Sequence, residues 1–366
     1  HATELVSPHT FRSLSGSDVR TELFASGQTF SHIDYARESD LYVVAPASAN
    51  FLGKACAGIA DDLVTTTFIA ADPAKTVIAP AMNYRMYTHP VVQQNMLGLR
   101  KIGCRVIEAD SGALACGDVG KGRFPSVELL FEEIVAALTG QDLAGMRLLV
   151  SAGPTREPLD PVRYLSNRSS GRMGYALARI ARRRGADVTL VSGPAEIAPV
   201  PGIRIIPVET AREMKQVVTR EFKRSDCYIA AAAVSDFRPA EISKQKIKKS
   251  TNSTKAQTAG NALSIDLSEN PDIVTQVART KIKQQIVVGF ALETENLQES
   301  ARMKLKRKHL DMIVGNTAEA LGQAHATAVL CFADGTVEEF PDQDKELLAY
   351  RILDAIVKLR EKKHER

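Results

Sequence analysis

The chain contains no tryptophan, and only 5% of its residues are aromatic, which argues against the stacking platforms used to bind single-stranded nucleic acids. No apolar run is long enough to span a membrane. The five cysteines are scattered and form no CxxC pair, which favours a reduced, cytoplasmic protein. The net charge of +4 is too small to indicate a nucleic-acid partner. We therefore expect neither a membrane nor a nucleic acid as partner.

Short apolar runs alternate with helical patterns along the whole chain, which predicts an α/β fold with mainly parallel sheets. The runs are nearly continuous in apolar character, as is typical of strands buried on both faces. A polar segment after residue 139 separates two Rossmann-like, three-layer domains, residues 1–139 and 145–366. The predicted strands are Leu41–Ala45, Thr76–Ala79, Arg105–Ile107, Arg147–Ser151, Asp187–Val191, Cys227–Ala231, Ile286–Phe290 and Met312–Gly315.

In the first domain, two predicted strands run directly into small and polar residues, Ala45–Asn50 and Ala79–Asn83. Ligands of open α/β sheets bind at the carboxyl ends of the strands, where small residues let a ligand approach the backbone. An ordinary turn with a helix cap explains either segment equally well. Finding two such turns in one sheet favours a ligand site.

A glycine-rich segment, Ser111–Arg123, follows in the same domain and contains Cys116. Its four glycines predict a flexible flap without regular structure. A cysteine in such a flap can exchange a proton with a bound substrate, although most free cysteines are inert and buried. His32 is a second candidate acid or base, but a lone histidine is more often structural.

These segments resemble the signature segments of the flavin-dependent cysteine decarboxylases, the phosphopantothenoylcysteine decarboxylase family. The resemblance implies a flavodoxin-like, trimer-forming domain in which FMN oxidises the cysteinyl thiol, carbon dioxide is lost and the reduced flavin returns the electrons. The implied roles are flavin contacts for Ala47, Ser48 and Asn50, binding of the substrate carboxylate for Asn83, base for His32 and proton donor for Cys116. Family members begin with a strand and a Gly-rich phosphate loop ahead of the part that resembles His1–Gly16. We therefore expect the chain to be N-terminally incomplete and to bind FMN poorly.

The second domain carries a polar loop that leads into a helix, Asn167–Gly174. The N–H groups at a helix N-terminus bind anions well. Ser169 and Ser170 are candidate caps, which is the alternative explanation. Capping does not explain the four arginines in or near this loop, which are Arg156, Arg163, Arg168 and Arg172.

Two further segments of this domain carry groups suited to a nucleoside triphosphate. Asp236 follows a strand end rich in alanine and can bind a divalent ion together with phosphates. A lysine run, Lys244–Lys249, follows it; such a run is usually only a solvated surface. Lys304 and Lys308 share one helix face.

Taken together, these segments resemble phosphopantothenate–cysteine ligase, and the order of the two domains resembles the fused bacterial enzymes of coenzyme A synthesis. The resemblance implies ligation of 4′-phosphopantothenate to cysteine through an acyl-cytidylate, with CTP as co-substrate and Mg²⁺ (or Mn²⁺). Lys246 would stabilise charge during cytidylyl transfer, Asn167 would hold the acyl-cytidylate, and Asp236 would bind the metal. Ligase dimers joined to decarboxylase trimers would form a homo-oligomer, a dodecamer by symmetry. The implied CTP contacts are Ala230, Ala231, Ala232, Asp236, Lys246, Pro271, Asp272, Ile273, Val274, Phe290, Lys304 and Lys308.

Two alternatives remain open. A non-catalytic nucleotide- or flavin-binding module would keep the same loops. A short-chain dehydrogenase is disfavoured, because no GxGxxG motif with an acidic ribose ligand follows a strand.

Overall fold

A computed structural model describes residues 2–24, 31–113, 117–248, 263–293, 297–317 and 325–364. The chain forms two compact units, His1–Leu138 and Thr139–Arg366. No helix in these ranges is long and apolar enough to cross a membrane.

The N-terminal unit is an α/β unit. Its elements are α1 (Pro8–Ser15), α2 (Ser31–Glu38), β1 (Tyr42–Ala47), α3 (Ala49–Ala57), α4 (Leu63–Ala70), β2 (Thr76–Pro80), α5 (Tyr84–Tyr87), α6 (Pro90–Lys101), β3 (Arg105–Val106), β4 (Asp110–Ala113), β5 (Val119–Arg123) and α7 (Val127–Leu138). Among the described residues, β1, β2 and β3 form a parallel sheet in that order. All five residues of β2 are buried, as a central strand covered on both faces requires.

The C-terminal unit contains the longer sheet. Its elements are β6 (Arg147–Ala152), β7 (Arg156–Pro158), β8 (Tyr164–Ser166), α8 (Arg172–Arg183), β9 (Asp187–Ser192), β10 (Arg204–Pro207), α9 (Ala211–Phe222), β11 (Cys227–Ala230), β12 (Phe237–Pro239), β13 (Leu267–Glu269), α10 (Ile273–Thr280), β14 (Ile286–Glu293), α11 (Leu297–Arg307), β15 (Met312–Thr317), β16 (His325–Phe332), β17 (Val337–Asp344) and α12 (Lys345–His364).

The sheet order in the described part of this unit is β10-β9-β6-β11-β14-β15-β16-β17. The first six strands are parallel, and β16 and β17 add antiparallel at one edge. Because side chains alternate along a strand, each strand contributes to two cores. One core lies against α8 and α12 and includes Met312 and Val314; the other lies against α9, α10 and α11 and includes Ile313.

The predicted α/β class with a mainly parallel sheet is confirmed, and each of the eight predicted strands overlaps an observed one. The glycine-rich segment departs from the prediction of irregular structure, because β4 and β5 pair as an antiparallel hairpin. The glycines serve close packing instead. A Cβ at Gly122 would lie 2.3 Å from the Met82 carbonyl oxygen, and one at Gly120 would lie 2.8 Å from Tyr84 Cβ.

Candidate functional site

A cavity of about 650 Å³ opens at the carboxyl ends of β6, β11, β14 and β15. This is the edge at which open α/β sheets bind ligands. The cavity brings together residues that are far apart in the sequence. The predicted site residues that line it are Asn167, Ala230, Ala231, Ala232, Asp236, Pro271, Asp272, Ile273, Val274, Phe290, Lys304 and Lys308.

The cavity extends over both faces of the sheet edge. The α11 lobe (Ala230, Ala232, Ile273, Val274, Lys304 and Lys308) lies on the face covered by α10 and α11. The α12 lobe (Arg172, Met173, Phe290, Asn316 and Lys345) lies on the face covered by α8 and α12. The loop that precedes α8 and the residues that follow β11 line the space between the two lobes.

The first turn of α8 faces the cavity without a side-chain cap. Gly171, in the left-handed region at φ 79°, is the N-cap and makes no side-chain cap hydrogen bond. Capping by Ser169 or Ser170 is therefore wrong, because the Ser169 hydroxyl instead accepts a hydrogen bond from Gly171 N (3.3 Å). Arg172 and Met173 of this turn line the cavity, and the N-terminus of a helix carries a partial positive charge.

The four arginines near this loop divide into two groups. Arg168 and Arg172 line the cavity. Arg156 stacks over the Tyr164 ring, with 4.6 Å between its guanidinium carbon and the ring centroid. Arg163 donates to the Asp160 carboxylate at 2.7 and 3.0 Å. Arg156 and Arg163 therefore organise the loop structure around the site.

Asn167 cross-links two walls of the cavity. Its Nδ2 donates to the carbonyl oxygens of Ala233 and Val234, each at 3.2 Å. Asn270 ties the next wall to the same segment, because its Nδ2 donates to Ser235 O at 2.9 Å. The exposed Asp236 side chain thus lies at the cavity wall on a segment that is braced from both sides.

Two half-buried lysines give the α11 lobe its positive charge. Lys308 Nζ lies 3.0 Å from Asp272 Oδ2. Burial raises the pKa of the Asp272 carboxyl, but the Lys308 ammonium and hydrogen bonds from Thr275 outweigh it, so the pKa is lowered overall. Asp272 also caps α10 by accepting from Thr275 N at 3.1 Å. The carboxylate therefore fixes Lys308 against the first turn of α10.

Lys246 is the one predicted ligase-site residue that is absent from the cavity lining. Its side chain is exposed, and its segment is anchored by the next residue, because Ile247 N donates to Asp160 Oδ2 (3.1 Å). Burial raises the pKa of Asp160, but the hydrogen bonds from Ile247, Val162 and Arg163 lower it well below its usual range. Asp160 therefore joins the Arg163 loop to the base of the Lys246 segment.

The candidate flavin residues lie at the carboxyl end of β1. Ala47 is fully buried, Ser48 is the N-cap of α3 and accepts from Phe51 N at 3.3 Å, and Asn50 is exposed in the first helical turn. This arrangement is also the predicted turn with a cap. The geometry thus gives α3 a polar N-terminus at the ligand-binding edge of the sheet.

Asn83 lies at the end of the neighbouring strand and contacts the hairpin. Its Oδ1 accepts from Arg85 N (2.8 Å) and its Nδ2 donates to Asp118 Oδ2 (3.1 Å). His32 is half-buried in α2, and its buried Nδ1 has no hydrogen-bond partner among the described residues. No described hydrogen bond joins His32 to Asn83. Cys116 lies outside the described residues.

Three cavity groups were not singled out from the sequence. Lys345 begins α12, Asn316 lies near the end of β15, and the buried Ser151 Oγ and Tyr228 Oη are hydrogen-bonded at 3.0 Å. The polar Asn316, placed where the apolar run of β15 ends, is a signal of the same kind as those at the ends of β1 and β2. The sequence offered no comparable signal for Lys345.

Comparisons with known proteins agree with this two-unit organisation. Residues 143–359 match the family described as DNA/pantothenate metabolism flavoprotein C-terminal domain, and residues 1–139 match the family described as Flavoprotein. The α/β fold of each unit agrees with that of the flavoprotein family it matches.

The relatives identify the family more closely. The chain is 41% identical over 375 residues to the coenzyme A biosynthesis bifunctional protein CoaBC of Bacillus subtilis (strain 168), covering 100% of this chain and 90% of the relative. The Escherichia coli (strain K12) protein of the same name is 39% identical over 372 residues, with the same coverage. A crystal structure of the C-terminal domain of a CoaBC protein is similar, with a TM-score of 0.51 and 34% identity over 61% of this chain and 100% of that chain. The chain therefore belongs to the family of bifunctional coenzyme A biosynthesis enzymes, which combine a ligase with a decarboxylase.

Proposed function

We propose that the C-terminal unit ligates 4′-phosphopantothenate to cysteine in a CTP-dependent reaction, and that the N-terminal unit decarboxylates the resulting 4′-phosphopantothenoylcysteine with FMN. The cavity carries the ligase half of this proposal, because the residues assigned to CTP from separate segments of the chain, apart from Lys246, converge on it. Family membership supports both halves.

The α11 lobe suits a nucleoside. Ala230 and Ala232 leave room beside the sheet, and Ile273 and Val274 supply apolar surface for a flat base. The Lys304 and Lys308 ammonium groups supply donors for the polar edges of a nucleotide. We place the base and ribose of CTP in this lobe and its phosphates toward the N-terminus of α8.

The chemistry follows from the weakness of a carboxylate as an acyl donor. A carboxylate oxygen of 4′-phosphopantothenate attacks the α-phosphorus of CTP, the bond to the bridging oxygen breaks, and pyrophosphate leaves with the electron pair. The cysteine nitrogen then attacks the acyl carbon, the bond from that carbon to the phosphate oxygen breaks, and CMP leaves with the electron pair while the nitrogen loses a proton to solvent. Cationic groups placed where this charge develops stabilise both transition states.

A magnesium ion (or manganese) fits the site only together with the phosphates. The described residues contain no cluster of three His, Cys, Asp or Glu side chains that could hold a metal ion. Asp236 alone lines the cavity beside the proposed phosphate position, and Mg²⁺ is commonly held by one or two carboxylates plus substrate phosphates. When bound there, the ion would neutralise phosphate charge.

Asn167 is proposed to hold the acyl-cytidylate through its oxygen. Both Nδ2 hydrogens point at the carbonyls of Ala233 and Val234, whereas no hydrogen bond of a described residue uses Oδ1. That oxygen can accept from the hydroxyl or amide N–H of the pantothenate chain. Asn167 would thus orient the intermediate while bracing the segment that carries Asp236.

Lys246 is proposed to stabilise the charge of cytidylyl transfer from the segment that Asp160 anchors. Its exposed ammonium is not fixed by any described ion pair or hydrogen bond, so a triphosphate can attract it. Replacing Lys246 therefore distinguishes an enzyme from a binding module. Loss of charge stabilisation in the transition state lowers the turnover of an enzyme more than its affinity for CTP.

The test is pyrophosphate release by the full chain supplied with CTP, 4′-phosphopantothenate and cysteine. We expect release that depends on CTP and 4′-phosphopantothenate, and a Lys246→Gln variant with turnover lower by about 100-fold or more and nearly unchanged CTP binding. Lys244→Gln, on the same exposed segment, is the matched control and should keep its turnover. A wild-type chain that binds CTP but releases no pyrophosphate would establish the binding module instead.

For the decarboxylase half, Ala47, Ser48 and Asn50 would hold FMN, and their position at a strand end and helix N-terminus fits a flavin. When bound, FMN would supply the electron acceptor for the cysteinyl thiol. Asn83 would bind the substrate carboxylate after Asp118 releases its amide, while His32 would accept a proton and Cys116 would donate one.

We also propose that the chain forms homo-oligomers, with contacts between ligase units as dimers and between decarboxylase units as trimers. The N-terminal unit exposes large apolar side chains on several helices, including Ile69, Leu97 and Phe131. Subunit contacts would be expected to cover such side chains where they form a contiguous patch.

A further inference from the structure

A second cavity, of about 560 Å³, adjoins the first in the C-terminal unit. Its lining consists of three cationic side chains, one carboxylate and a two-residue segment, which are Arg212, Lys215, Arg238, Glu269, Asn270 and Pro271. Asn270 and Pro271 also line the first cavity, so the two cavities share a wall. Because the positive side chains outnumber the negative one and Pro271 is the only apolar residue, the lining favours a polar anion as ligand.

Two of the cations stand on α9, at positions that local electrostatics disfavours. Arg212 lies in the first turn of α9 and Lys215 follows three residues later, on the same face of the helix. Cations near a helix N-terminus oppose the helix dipole, and like charges at this spacing disfavour each other. No described residue forms an ion pair or hydrogen bond with either side chain. An anion bound to both would offset these costs, and positions that break a local rule are commonly functional.

The third cation, Arg238, is held in place with donors to spare. It is half-buried on β12, and its Nη1 donates to Glu269 O and to Asn270 Oδ1, the latter at 3.2 Å. No described residue accepts a hydrogen bond from its Nε or Nη2. A guanidinium that is fixed in this way can donate from these two nitrogens to two oxygens of one anion.

The balance of charge indicates the class of anion. The Glu269 carboxylate lines the cavity but forms no ion pair with any of the three cations. Three positive charges and one negative charge leave an excess of two, which matches a phosphomonoester with its charge of about −2 near pH 7 better than a single carboxylate. We propose that the second cavity binds a phosphomonoester, whose phosphate contacts Arg212, Lys215 and Arg238. The volume leaves room for the organic part of such a molecule.

This ligand is separate from the substrates of the proposed ligation. Asn167, Asp236 and Lys246, which are proposed to act in that reaction, do not line the second cavity. The shared wall nevertheless places the new ligand next to the nucleotide, because Pro271 is assigned to CTP and Asn270 Nδ2 donates to Ser235 O at 2.9 Å. The proposal therefore adds a second ligand to this unit without changing the roles given to the first cavity.

The test compares methyl phosphate with methyl sulfate, which have the same shape but charges of about −2 and −1 at about pH 8. Both are titrated calorimetrically into the full chain at constant ionic strength, with CTP present to fill the first cavity. We expect the wild type to bind methyl phosphate about tenfold or more tightly than methyl sulfate. In the double variant Arg212→Gln/Lys215→Gln, the affinity for methyl phosphate should fall by about tenfold or more, because charge-assisted hydrogen bonds are lost.

The matched control is Lys223→Gln/Arg224→Gln, which removes the same charge from exposed residues at the other end of α9. It should bind methyl phosphate as the wild type does. Arg238→Lys keeps the charge but loses the planar fork, and it should bind methyl phosphate more weakly than the wild type. An unchanged affinity for CTP in each variant shows that the C-terminal unit is folded.

Three results would overturn the proposal. They are no binding of methyl phosphate by the wild type, equal affinities of the wild type and Arg212→Gln/Lys215→Gln, and equal affinities of the wild type for the two probes. A raised KM for 4′-phosphopantothenate in the double variant would also overturn it, by assigning the cations to the phosphate of that substrate. The titrations need no turnover, so a chain that binds methyl phosphate but releases no pyrophosphate would refute only the ligase proposal.

Discussion

Gly174 offers a test of the close packing that positions the first turn of α8. It is the third residue of the helix, where alanine normally stabilises by up to about 1 kcal/mol because it restricts the unfolded chain. A Cβ at this position would, however, lie 2.5 Å from Ala152 Cβ and 3.3 Å from Ser151 O. Ordinary carbon contacts are about 3.5–4.0 Å, so α8 would have to move roughly 1 Å away from β6.

The two effects have opposite signs and their sizes differ. Overpacking of this kind costs about 1–3 kcal/mol, against the gain of up to about 1 kcal/mol from helix propensity. We therefore expect Gly174→Ala to lower the free energy of unfolding of the C-terminal unit by roughly 0–3 kcal/mol. Because α8 begins at the cavity, kcat/KM for CTP should fall by about tenfold or more.

Gly53 is the matched control. It also lies within a helix, α3, but a Cβ there would meet only Asn95 Nδ2, at an ordinary distance of 3.7 Å. The same substitution should therefore stabilise the N-terminal unit by about 0.5–1 kcal/mol. Hydrogen exchange of peptides from α3 and α8 during urea unfolding reports on the two units separately. A Gly174→Ala variant that is as stabilised as Gly53→Ala would refute the steric argument.

Two further predictions concern charges around the cavity. Lys304→Gln and Lys308→Gln should each raise KM for CTP by about tenfold or more. Lys306→Gln, on the exposed side of α11, is the control and should leave KM unchanged. Unchanged KM values in the first two variants would contradict the placement of the nucleotide in the α11 lobe. Because the folded pKa of Asp160 is lowered, its contribution to stability is complete above the ordinary aspartate pKa and is lost as the pH falls. The difference in urea midpoint between the wild type and Asp160→Asn should therefore be largest near pH 7 and should decrease progressively as the pH falls below about 4. A difference in urea midpoint that does not change with pH would contradict the lowered pKa of Asp160.

Much of the fold is predictable from local pattern, because buried parallel strands have a distinctive composition. The run Cys227–Ala230 is apolar and short and is followed by small residues, and it is observed as β11. Edge strands lack this signal. The residues of β17, Val337–Asp344, are mostly charged and polar, so their sequence pattern does not indicate a strand. They form one because they pair with β16, and this pairing can be identified only from the tertiary structure.

The candidate site divides in a similar way. Residues that follow strand ends, such as Asn167 and Asp236, can be selected from sequence because the fold class dictates where strand ends meet. The details depend on long-range geometry. The alternation along β15 that sends Ile313 and Asn316 to opposite faces has meaning only once the helices covering each face are known, and Lys345 reaches the cavity through the packing of α12 on α8.

The edge of the C-terminal sheet makes the cavity accessible from both faces of the sheet. Neighbouring positions on a strand point to opposite faces, so the end of a central strand is reached from both sides. In this unit the lysines of α11 approach from one face, while Arg172 and Lys345 approach from the other. The carboxyl ends of the central strands therefore carry cationic groups from both faces of the sheet.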